Sequence, residues 1–171
     1  MFGSNFYNKF RGRKAQPFHR AHRAHLAHLA LGEFGERLIV EHLKRQGYRI
    51  VATNFQAPIG HSLAGRLITG EIDIIAYDES TRPYTLVFIE VKTRSSDEIA
   101  APEAAVDLRK QRQIIRTARV YRRITDVSEE PYRYDVASVV MKSGGAPNVT
   151  VWRGYFSEQR FRQSGWRQRE F

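Results

Sequence analysis

The sequence contains no cysteine. Disulfides and thiolate metal sites are thereby excluded, and a reducing compartment is permitted. No run approaches the roughly 18 consecutive apolar residues that a membrane-spanning helix needs, so no membrane partner is expected. Residues 1–20 lack an apolar segment of the kind that marks a secretory leader, and a cytoplasmic location is the expectation. The acceptor triplet Asn148-Val149-Thr150 then carries no weight. Acidic residues are also scarce where basic ones collect. Residues 1–30 hold six Lys/Arg and no Asp/Glu, and residues 157–171 hold four Arg against two Glu. All but +2 of the net charge of +10 therefore sits at the two ends. Basic ends suit an anionic partner, nucleic acid first, or serve as solubilising tails.

With 171 residues the chain is long enough for one domain with a self-sufficient core. Residues 1 to about 18 are basic and aperiodic and are expected to be disordered. His19, His22, His25 and His28 recur every third residue, a spacing that drifts around a helix. They predict a helical lead-in and not a metal site. A basic, His-rich extension therefore occupies 1–30, a domain 31–156, and a basic tail 157–171.

Within the domain a helix is predicted over Gly32–Gln46, stopped by Gly47, with a short strand at Tyr48–Val51. Residues 57–69, with Pro58, Gly60 and Gly65, read as an inserted loop. Strands at Gly70–Tyr77 and Tyr84–Lys92 are joined by the polar stretch 78–83. A long helix over Pro102–Ile124, a strand at Tyr134–Met141 and a last strand at Val149–Tyr155 complete an α/β arrangement, a mixed central sheet flanked by helices.

Chemistry enters through side chains on inward faces. In a strand over Leu86–Lys92, Val87, Ile89 and Val91 share one face while Phe88, Glu90 and Lys92 share the other. In the preceding strand, alternation puts Ile72, Ile74 and Ala76 together and Glu71, Asp73 and Ile75 opposite. Asp73 set among isoleucines is costly to bury without a partner. On the first helix, Gly32, Glu36, Val40 and Leu43 fall on one stripe, which directs Glu36 inward. Three carboxylates (Glu36, Asp73, Glu90) beside Lys92 call for a hard divalent cation, Mg²⁺ or Mn²⁺, with the lysine placed to stabilise developing negative charge. Taken singly each has an ordinary reading. A Glu-x-Lys pair is usually a surface ion pair, and a lone helix glutamate can be partnered by arginine.

The segments Gly32-Glu33-Phe34-Gly35-Glu36, Gly70-Glu71-Ile72-Asp73, Val87 to Arg94 and Tyr134-Asp135-Val136 together resemble the YraN family. That family is similar to archaeal Holliday-junction resolvases and to the PD-(D/E)xK nucleases, and the resemblance spans about residues 31–142. It implies a restriction-endonuclease-like fold and metal-dependent cleavage of DNA phosphodiesters, with structure-selective action as the narrower expectation. It assigns metal-binding acids to Asp73 and Glu90, the catalytic lysine to Lys92, the helix glutamate to Glu36 and a later lysine to Lys110. The non-catalytic alternative keeps the nuclease fold and binds nucleic acid. A resolvase-like homodimer would set two sites against two strands. The sequence departs from the family pattern at the 57–69 insertion, at Gln56 and in the His-rich extension.

Arg109, Arg112, Arg116, Arg119 and Arg123 form one stripe of the long helix, and Lys110, Ile114, Ala118 and Tyr121 another. The arginine row offers guanidinium groups to backbone phosphates, or is a solvated face. Glu71 and Asp135 are expected in supporting roles, Asp135 chiefly as a structural partner for an arginine of the long helix.

Overall fold

The structure, a computed structural model, describes residues 17–95 and 106–162. Its elements are α1 (Pro17–Arg45), β1 (Tyr48–His61), β2 (Leu67–Asp78), β3 (Thr85–Ser95), α2 (Leu108–Ile124), β4 (Tyr132–Met141), β5 (Asn148–Phe156) and α3 (Gln159–Arg162). Of the stretch 1 to about 18 expected to be disordered, residues 1–16 lie outside the described residues and Pro17 begins α1; the helix start expected at Pro102 also lies outside them.

The five strands form one open mixed sheet in the order β1-β2-β3-β4-β5. Only β3 and β4 run parallel. A parallel pair cannot be closed by a tight turn, and α2 lies in the crossover. Because β3 is central it is buried on both faces, and Leu86 to Ile89 are 0% exposed. The two faces support separate cores. Ile39 and Leu43 of α1 pack on Tyr48, Ile74, Ala76, Val87, Ile89 and Val139. Ile114, Ile115, Ala118 and Tyr121 of α2 pack on Ile72, Ile75, Phe88, Tyr134 and Phe156 on the other face. Each fully buried Ile or Leu contributes about 1.5–3 kcal/mol, enough to fix which stripe of each helix faces the sheet.

α2 starts where its cap dictates. Asp107 accepts from the Lys110 backbone N–H at 2.7 Å and caps the helix that begins at Leu108. It ends with basic Arg122 and Arg123 in its last turn, which suit the negative end of the dipole. The expected stripe of Ile114, Ala118 and Tyr121 is buried. α1 is longer than predicted, and the His-rich lead-in is its first part.

Three further expectations are corrected. Residues 57–69 are not a loop. β1 continues to His61, pairs there with Leu67, and makes a two-stranded arm turned at Ser62–Arg66. On α1 the buried stripe is Gly35, Ile39 and Leu43, with Glu36 on its margin. Gly35 is the close approach: a Cβ there would stand 1.8 Å from Thr93 Oγ1, whereas Gly32 has open space. The C-terminal segment is not a simple tail either. Phe161 is 3% exposed and joins the α2-side core. Glu158, 8% exposed, accepts from Tyr134 Oη at 2.8 Å and pairs with Arg119.

Candidate active site

The site forms where two strands part. β2 and β3 pair from Asp78↔Thr85 up to Ile74↔Ile89 and no further. Strict alternation breaks at the same place: Ile72 and Ile75 face α2, while Ile74 and Ala76 face α1. The predicted common face of Ile72, Ile74 and Ala76 is therefore wrong. β2 takes an irregular step at Asp73, opposite Asn54, whose φ of 52° lies in the left-handed region. Asparagine tolerates that region better than most residues. Past the fork, the Asp73 carboxylate replaces the missing rung and accepts from the Val91 backbone N–H at 2.7 Å.

Glu90 follows Ile89, the last residue of β3 paired with β2. Its side chain is 2% exposed on the α2 face. Lys92 Nζ, two residues along the same face, stands 2.8 Å from Glu90 Oε1. Lys110 Nζ, from the first turn of α2, stands 3.0 Å from Glu90 Oε2. That second contact is an ion pair, and Oε2 has no well-aligned hydrogen-bond donor. Glu36 approaches from α1, on the other side of the sheet. Parting of the strands lets both helices act on one gap, since Asp73 feels Glu90, Lys110 and Glu36 together.

The electrostatics reflect crowding of like charge. Burial first, then the neighbouring Glu90, push the Asp73 carboxyl up to about 7, against the opposing pull of the Val91 N–H and Lys110. Burial raises Glu36 as well. A hydrogen bond with the Asn54 side chain opposes that, while Glu71, Glu33 and Glu90 add to it. For the Lys110 ammonium, burial acts downward, but Glu90, Asp73 and Glu71 outweigh it and hold the pKa above its usual value. Glu71 thus belongs to the electrostatic surroundings of the site.

Lys92 and Lys110 both reach the Glu90 carboxylate, and Asp73 lies close enough to feel the charges of Glu90 and Lys110. Glu36 bears on them by charge. Among the described residues, no three acidic, histidine or cysteine side chains are grouped closely enough to hold an ion between them. Asp135 does not join the site and does not pair with the long helix. It lies at 0% exposure beside Arg133 of its own strand, whose Nε is 3.0 Å from Oδ1, and it accepts from the Gly154 N–H at 2.7 Å. The arginine row of α2 is partly committed within the chain. Arg112 lies 5.4 Å from the centre of the Phe161 ring and Arg119 pairs with Glu158, leaving Arg109 exposed beside Lys110. Arg123 is exposed at the far end of the helix, and Arg116 is half-buried. Sequence reasoning missed Asn54. It falls between the strand predicted at Tyr48–Val51 and the loop predicted from 57, where the sequence carries no signal for it. A shallow depression lined by His42, Leu43, Gln46, Tyr48, Val151 and Arg153 lies over the Arg133 network, away from the fork, and holds none of these acids.

Among the described residues, no helix is long and apolar enough to cross a membrane. The uncharacterised protein family UPF0102 matches residues 35–139, which carry the whole fork. A UPF0102 protein of Solibacter usitatus is 38% identical over 125 residues, covering 73% of this chain and 84% of the relative. Similar proteins of Alkaliphilus metalliredigens and Porphyromonas gingivalis are 37% and 40% identical over 111 and 115 residues, covering 65% and 67% of this chain and 85% and 74% of their own. The family resemblance read from the Gly70–Asp73 and Val87–Arg94 segments holds at this level, and the chain belongs to the UPF0102 family.

Proposed function

We propose that the protein is a metal-dependent endonuclease that hydrolyses DNA phosphodiester bonds at the fork between β2 and β3. One observation carries this reading: Asp73 and Glu90 are brought together where strand pairing stops, with Lys92 Nζ 2.8 Å from the buried Glu90 carboxylate. A mixed five-stranded sheet with a helix on each face, and acids at the parting of its strands, suits a restriction-endonuclease-like fold.

The residues fit a hard divalent cation. Asp73 and Glu90 offer oxygen donors only, and their mutual repulsion favours a positive ion between them. Mg²⁺ is commonly held by one or two carboxylates, with water and substrate phosphate completing its shell, so a set of two acids is sufficient. Bound there, Mg²⁺ or Mn²⁺ would neutralise charge on the scissile phosphate and acidify a water. Lys92, partly exposed, would orient the attacking water and stabilise charge developing on phosphorus-bound oxygen. Lys110 would hold Glu90 in place and face the phosphate with Arg109. Glu36, set by Asn54, would accept a proton from the attacking water or carry an outer water.

A second reading, a non-catalytic nucleic-acid-binding protein on the same fold, is favoured by the two ammonium groups that already flank Glu90. The test is purified protein against linear, forked and four-way DNA with Mg²⁺, Mn²⁺ or EDTA. The nuclease reading expects metal-dependent cleavage that Glu90→Ala abolishes. Binding in EDTA with no cleavage of any form in metal selects the second reading.

A further inference from the structure

The arm formed by residues 57–69 is built as a rigid projection rooted beside the fork. At its base, Gly70 abuts Thr117 of α2, and a Cβ at Gly70 would lie 2.0 Å from Thr117 Oγ1. Gln113 Nε2 donates to the Thr69 carbonyl at 3.1 Å, three residues along α2 from Lys110. Ala57, 4% exposed, fills the other side of the base. Strand pairing then continues outward through Pro58↔Thr69 and Gly60↔Ile68 to His61↔Leu67. The turn is closed twice by backbone bonds, Ser62 N–H to the Arg66 carbonyl and Gly65 N–H to the Ser62 carbonyl, both at 2.8 Å. Gly65 takes a φ of 71° to make it. The outcome is an ordered tip that holds Leu63 fully in water (106% of its reference exposure) and Leu67 58% exposed.

At this tip Leu63 buries nothing within the chain and Leu67 stays more than half exposed. Charge and reach indicate what they meet. No acid occurs from Tyr48 to Gly70, while Arg49, His61 and Arg66 do. An arm of four or five residues per strand reaches about 15 Å at about 3.3 Å per residue, comparable with the ~12 Å width of a DNA major groove. Apolar side chains inserted between base steps unstack them and are a recurrent way of opening or bending a duplex.

We propose that this arm is a wedge for nucleic acid: Leu63 and Leu67 enter the base stack at a branch or duplex end while Arg66 meets the adjoining phosphate. The proposal rests on the reading above only in taking nucleic acid to lie at the fork; it requires no cleavage. It names a branched or open-ended duplex as the preferred ligand, and it assigns to the arm the selection of that ligand.

The test uses full-length protein in EDTA, where no cut is expected, with forked DNA carrying 2-aminopurine at the branch. Wild type should raise the fluorescence several-fold. The double variant Leu63→Ser/Leu67→Ser should lose most of that rise and at least tenfold in fork affinity, with unchanged affinity for relaxed closed-circular duplex, which has neither branch nor end. Leu63→Met should retain both. Both leucines are exposed, so these changes leave the core intact, and circular dichroism checks it. Equal fork binding and fluorescence in wild type and double variant overturns the proposal. So does a wild-type dimer that the double variant dissociates in light scattering, since the tip would then be covered by a second copy. Tip-dependent fluorescence without cleavage in any metal leaves this inference standing and removes the nuclease reading; cleavage with an inert tip does the reverse.

Discussion

Two buried acid clusters occupy the same sheet, and they are built on opposite rules. Toward one end, Asp78 and Asp135, both 0% exposed, share Arg133. Its guanidinium is 2.8 Å from Asp78 Oδ2 and 3.0 Å from Asp135 Oδ1, and it donates to Tyr48 Oη at 2.8 Å. Ser80 Oγ at 2.6 Å and the Gly154 N–H at 2.7 Å take up further carboxylate oxygens. Burial would raise Asp78, yet Ser80 and Arg133 outweigh it and hold its carboxyl below the usual range. At the fork, by contrast, Asp73 faces Glu90, the cations are lysines, and the Asp73 carboxyl rises to about 7. A planar guanidinium fork satisfies carboxylates geometrically, whereas an ammonium on a flexible stem acts as a movable point charge. The first cluster sets its carboxylates against arginines, Arg133 and at 3.7 Å Arg153, although burial still raises Asp135. The second leaves them unbalanced and open to a further ligand.

The comparison is sharpest in activity. Glu90→Ala and Lys92→Ala should each lower metal-dependent cleavage roughly 100- to 1,000-fold, about 3–4 kcal/mol of barrier, with the fold retained. Asp78→Asn should leave turnover per folded molecule unchanged. Equal losses from both clusters, measured on linear and forked DNA, break the distinction.

Stability should answer the other way. Arg133→Ala leaves two buried carboxylates without their shared cation and should cost about 3–5 kcal/mol in urea unfolding. Lys92 is 33% exposed, and its removal should cost about 1 kcal/mol or less.

A smaller effect comes from pH. The folded-state pKa of Asp73 is raised, so its contribution to stability is complete below its unfolded value of about 3.8 and is lost as pH rises through about 7. Asp73→Asn stays neutral and keeps an acceptor for the Val91 N–H. In metal-free buffer the variant should gain on wild type between pH 4 and pH 8, by an amount on the order of 2–4 kcal/mol at most. A stability difference that is flat with pH contradicts the crowded-acid account.

Legibility differed by element for physical reasons. β3 was readable because it is covered on both faces and alternates without fault, so Glu90 and Lys92 fell on one face as predicted. β2 misled because Ile72 and Ile74 fall on opposite faces either side of Asp73, where the left-handed Asn54 stands across the pair, a break that periodicity does not carry. In the arm, Pro58, Gly60 and Gly65 are breaker signals that favour a loop. Here they shape a hairpin instead, with positive φ of 137° at Gly60 and 71° at Gly65. Its outer residues are largely exposed, so no alternation marks them. The arginine stripe of α2 was legible as a stripe, but Phe161 and Glu158, which occupy part of it, come from a segment whose composition reads as a polar tail.

The most direct test is the anomalous scattering of Mn²⁺ in crystals of the wild-type protein. The account predicts a peak between the Asp73 and Glu90 carboxylates, absent in Glu90→Ala, and none at Asp78 or Asp135. Manganese bound elsewhere, or an empty fork at saturating manganese, contradicts it.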